Sequence, residues 1–116
     1  MSTKSPECYA TDPQARCLRV EASPRKIFIL PLDQLAYAQM DTDGKEQLLH
    51  LSFATHEIMV RGNTLRRIET ALHRLELSFI TTLPAKYHSL VADGQPRIRD
   101  IVVTEIKPGA ESGQQN

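Results

Sequence analysis

The side chains with the most adaptable chemistry in this chain are four histidines, His50, His56, His73 and His88. His50 and His56 stand close together in sequence with Glu57 beside the second, and two imidazoles with one carboxylate are a ligand set that first-row metals accept. That spacing matches none of the specific metal motifs. The plainer account is a pair of solvated or hydrogen-bonded histidines on neighbouring strands.

A second constellation is basic. Arg61, Arg66, Arg67 and Arg74 share one short window in which Glu69 is the only carboxylate. Gly62-Asn63-Thr64 reads as the start of a helix there, and a helix N-terminus favours anions through its free N–H groups and its dipole. Arg61, Asn63, Arg66, Arg67 and Arg74 are therefore the candidates for a phosphate or nucleic-acid contact. The competing account is a solvated helix face carrying an Arg66–Glu69 pair, worth a few tenths of a kcal/mol. We favour the latter, because a chain of zero formal net charge without interleaved aromatics lacks the electrostatic footprint of most nucleic-acid binders.

Other chemistries find no foothold. There is no Gly-x-Ser-x-Gly elbow, and the five glycines are too scattered for a phosphate loop. Asp41, Asp43 and Gly44 partly match a calcium loop, but Ser52 stands where its final Glu belongs. Cys8 and Cys17 lie in a weakly patterned N-terminal stretch without a nearby histidine, far short of a zinc site. No secretory signal precedes them, so free thiols in a reducing cytoplasm are expected over a disulfide, though the sequence leaves both open. No catalytic residue and no cofactor is expected.

The elements that must position these residues follow from hydrophobic period. Leu49, Leu51 and Phe53 alternate with His50 and Ser52, and Ile58 and Val60 alternate with Glu57, Met59 and Arg61. Ala54-Thr55 between them shifts the inward positions from odd to even, as a tight turn or bulge does. Leu65, Ile68, Ala71, Leu72 and Leu75 then fall at helical spacing, predicting one main helix over 64–76 with Asn63 or Thr64 as its cap. Ile27–Leu30, Leu35–Met40, Leu77–Leu83 and Ile98–Ile106 read as further strands, and Gly44 as the positive-φ residue of a hairpin loop. Tyr87–Val91 is either a hairpin partner of the last strand or irregular chain. The expected fold is α+β: a mostly antiparallel sheet of about five or six strands with the helix packed on one face.

Leu30-Pro31-Leu32-Asp33-Gln34-Leu35-Ala36-Tyr37, a following turn and strand, and the later helix with Leu65, Ile68 and Leu72 resemble the opening of LytTR-type DNA-binding domains over about half of the chain. Thr81-Thr82-Leu83-Pro84 stands where that family carries a basic, serine-containing segment. No residue role is carried over.

Three prolines and few large apolar residues in residues 1–25 predict a disordered arm, and 108–116 a disordered tail, around a single domain at 26–107. A core of roughly 80 residues without Trp buries little apolar area, so self-association is a natural supplement. The final strand is apolar on both faces, which names Ile101, Val102, Val103 and Ile106 as interface candidates. The expected function is a small non-enzymatic, protein-contacting module of the cytoplasm, forming a homodimer, with another protein as a further partner it could take. The alternative is nucleic-acid or phospholigand binding through the arginine face; no membrane partner is expected.

Overall fold

A computed structural model describes residues 7–106, which form eight strands in two sheets and one α-helix. In chain order the elements are β1 (Tyr9–Thr11), β2 (Cys17–Ser23), β3 (Lys26–Pro31), a 3-10 turn (Leu32–Gln34), β4 (Leu35–Asp43), β5 (Glu46–Phe53) and β6 (His56–Asn63). Helix α1 (Arg66–His73), β7 (Leu77–Thr81), a 3-10 segment (Ala85–Leu90) and β8 (Arg97–Glu105) complete them. One sheet runs β1-β7-β2-β3 and the other β4-β5-β6-β8. All neighbours are antiparallel except β2 and β7, which are parallel.

The mixed α+β class with one helix is as the periodicity predicts, but the described strands number eight in two sheets rather than about five or six in one. The difference arises in the segment expected to be a disordered arm. Its described part carries β1 and β2, with Cys8, Leu18 and Val20 buried. Leu18 and Val20 do alternate with Arg19 and Glu21, but over too short a run to read alone. Their partners are β3, next in sequence, and β7, more than fifty residues away. Residues 1–6 of that expected arm and the whole expected tail, 108–116, lie outside the described residues.

Alternation in β5 and β6 turns Leu49, Leu51, Phe53, Ile58 and Val60 inward, where they join Leu18, Val20, Ile80 and the helix residues Ile68 and Leu72 in one apolar core. The two strands are joined through Ala54-Thr55, where the phase changes as the periodicity indicates. Ala54 N–H donates to the Gln34 carbonyl at 3.0 Å, and Ile106 N–H donates to the Thr55 carbonyl at 2.9 Å. No polar or charged residue is buried among the described residues, so the core rests on apolar packing.

The helix is shorter than its predicted span, and its ends show why. Neither Asn63 nor Thr64 caps it. Thr64 takes φ 57°, Asn63 donates its side-chain amide to the Lys45 carbonyl, and Leu65 occupies the cap position. At the other end Leu75 takes φ 55°. Its N–H donates to Leu72 and that of Glu76 to Ala71, a Schellman closure built without glycine. The Tyr87–Val91 stretch, left open between strand and irregular chain, falls mostly in the 3-10 segment.

Candidate functional site

Strand alternation separates the residues proposed for a metal. His50 and Glu57 lie on the outer face of the β5–β6 pair, Nε2 to Oε1 3.3 Å apart, with Tyr37 edge-on to the His50 ring at 5.7 Å. His56 faces the other way: its ring meets Phe28 of β3 at 5.6 Å, and its Nδ1 is 2.8 Å from Thr55 Oγ1. A His50–His56–Glu57 site therefore does not assemble. Among the described residues no group of three or more His, Cys, Asp or Glu side chains is placed to hold a metal ion.

The arginine window is likewise divided by the fold. Arg61 projects from the outer face of β6, 4.0 Å from Glu46, which also takes Arg99 at 2.8 Å. Arg66 turns toward β4 with Glu69 and His73, while Arg67 lies near Gly94. Asn63 is occupied by the Lys45 carbonyl, and the N–H of Leu65 is taken by Gln47 Oε1 at 2.6 Å. The N–H of Leu65 at the helix start thus has an internal acceptor and is not free for an anion. Arg66, Arg67 and Arg74 remain exposed, and among the described residues no carboxylate lies within ion-pair distance of them.

The interface candidates occupy an edge. β8 is the last strand of its sheet, with Ile101 buried, Val103 half-buried and Val102 55% exposed on the opposite face. Ile106 follows the strand and is half-buried. Beside β8, an open groove of about 370 Å³ runs against the end of the β2–β3 hairpin, bounded by Ala22, Lys26, Phe28 and Val103. A second groove of about 420 Å³ separates β4 from α1. Its sheet side is apolar (Leu35, Met40, Leu49) and its helix rim is Arg66, Glu69 and His73.

Sequence reasoning missed the other apolar edge. β3 ends its sheet with Ile27 46% and Ile29 64% exposed, whereas Phe28 and Leu30 turn inward. A continuous apolar run such as Ile27-Phe28-Ile29-Leu30 suggests burial on both faces. Only the pairing order shows that one face is open.

No helix of the described residues is long and apolar enough to cross a membrane. No family model matches the chain, and no curated protein or solved structure matches it.

Proposed function

We propose that this chain is a non-enzymatic module that works by protein contact and associates with itself through exposed sheet surface. The observation that carries the reading is that Ile27, Ile29 and Val102, large apolar side chains left in solvent, all sit on edge strands. An edge offers unpaired backbone groups, and apolar side chains beside them add the area that strand addition buries. The free Cys8 and Cys17 thiols fit a reducing compartment, in keeping with a cytoplasmic setting.

The test is solution mass across a concentration series together with two charge substitutions on β8. Val102→Lys adds a charge on the exposed face and is expected to leave the melting temperature nearly unchanged. Val103→Lys adds one on the face toward the core and is expected to cost several kcal/mol, on the order of 2–4. A wild-type protein that stays monomeric at high micromolar concentration overturns the self-association reading.

A second reading has its own support: the unpaired, exposed Arg66, Arg67 and Arg74 suit contact with nucleic acid or a phospholigand. Replacing all three by Gln is then expected to weaken binding and flatten its salt dependence with the fold intact. Absence of any affinity for DNA, RNA or inorganic phosphate at low salt removes this reading.

A further inference from the structure

We infer that the self-associating surface is the β3 edge, and that it takes β3 of a second copy of this chain in antiparallel pairing, with Ile27 opposite Ile29 of the other copy. The inference rests on the self-association reading above and adds the strand, the partner and the register.

The two sheets have four edges, and they are not equally guarded. β1 is only three residues long. β4 carries Asp41 and Asp43 along its end, and β8 carries Arg97, Arg99, Asp100 and Glu105. The β8 backbone is also engaged, since the Ile98 carbonyl accepts from Leu83 N–H at 2.8 Å. Shortness and charge are the usual means of blunting an edge. In β3 the one charge is Lys26 at its first position: Ile27–Leu30 holds none, and the strand presents two exposed isoleucines on one face.

Backbone polarity selects the same residues. In the β2–β3 register Cys17 faces Pro31, and the next pair along is bonded, Leu32 N–H to the Arg16 carbonyl at 2.8 Å. Hydrogen-bonded pairs alternate in an antiparallel ladder, so Phe28 and Leu30 direct their N–H and C=O groups at β2. Ile27 and Ile29 direct theirs at the open side. Pro31, which has no N–H, falls on the open side as well, where no bond within the sheet is lost.

Charge then chooses the partner and its direction. Arg25 and Lys26 open the strand, and Asp33 follows its end. A second copy running antiparallel sets the basic end of each strand beside the acidic end of the other, whereas parallel pairing sets like charges together. With Ile27 opposite Ile29 of the second copy, each such pair exchanges both backbone bonds, and the four isoleucines form one apolar patch about the two-fold axis. Phe28 lies on that axis in a non-bonded pair with Cα atoms about 4.5 Å apart, a separation a disulfide can span.

The experiment uses the full chain. Ile29→Lys, at an exposed position, is expected to keep the wild-type melting temperature and circular dichroism while raising the dimer dissociation constant at least about tenfold by light scattering. In a Cys17→Ser background, Phe28→Cys is expected to form a covalent dimer under mild oxidation and Ile29→Cys is not. A dimer that survives Ile29→Lys but dissociates with Val102→Lys overturns this inference while leaving the self-association reading standing. A wild-type monomer overturns both, leaving the β3 edge to a strand of some other protein. Covalent dimer from Ile29→Cys and none from Phe28→Cys overturns the register.

Discussion

The side-chain carbonyl of Gln47, on β5, accepts the backbone N–H of Leu65, at the start of α1, at 2.6 Å. The N–H of the helix's cap residue is therefore satisfied by a strand residue eighteen positions earlier. Replacing Gln47 by Ala leaves a part-buried N–H without a partner. The expected cost is about 1–2 kcal/mol, read as a lower urea midpoint with unchanged slope.

Gly62 is held by a close approach of backbones. A Cβ placed there stands 2.0 Å from the Arg97 carbonyl oxygen, at the bulge where β6 meets β8. The obstacle is backbone, so it cannot swing aside. Gly62→Ala is expected to destabilise by on the order of 3 kcal/mol or more, and Gly44→Ala, which meets no atom but keeps a positive φ, by about 1. Chemical denaturation of the two variants distinguishes them.

Leu75 closes the helix in a conformation that L-residues with a Cβ adopt at a cost, and its side chain is half exposed. Leu75→Gly removes that cost and loses little packing. An increase in stability of up to about 1 kcal/mol is expected by thermal melt.

Arg97 ties down the chain between β7 and β8. Its Nε donates to the His88 carbonyl at 3.2 Å and its Nη2 to the Val91 carbonyl at 3.1 Å, while His88 Nε2 lies 2.7 Å from the Leu83 carbonyl. Arg97→Ala is expected to accelerate amide exchange across residues 85–95 by roughly tenfold or more, with Arg97→Lys recovering only part because it lacks the planar fork.

Cys8 is buried, its Sγ 3.3 Å from the Pro96 carbonyl, and burial pushes its thiol above the ordinary value of 9.0. The folded protein holds the neutral thiol, so this contribution to stability is present below about pH 9 and is lost as the pH rises through the folded value. Cys8→Ala is expected to flatten the decline in stability above pH 9. In native protein an alkylating reagent is expected to modify exposed Cys17 and to reach Cys8 only on unfolding.

Period and turn chemistry by themselves located the strands from β3 to β8 and the helix among them, though not the 3-10 segments or the helix ends. The alternation in β5 and β6, the phase change at Ala54-Thr55, the positive φ of Gly44 and the inner stripe of α1 are local signals, each carried within a few residues of where it acts. The tertiary structure decided what depends on distant partners. It made β2 a strand by placing it between β3 and β7, satisfied the N–H of the cap residue Leu65 with Gln47, and set Glu57 against His50 and Phe28 against His56. It also left β3 at an edge, which no property of Ile27-Phe28-Ile29-Leu30 reveals, because burial of a strand face depends on which other segments pack against it. Local preference selects the conformation of a segment; the pairing of segments far apart in the chain selects which of its atoms meet water.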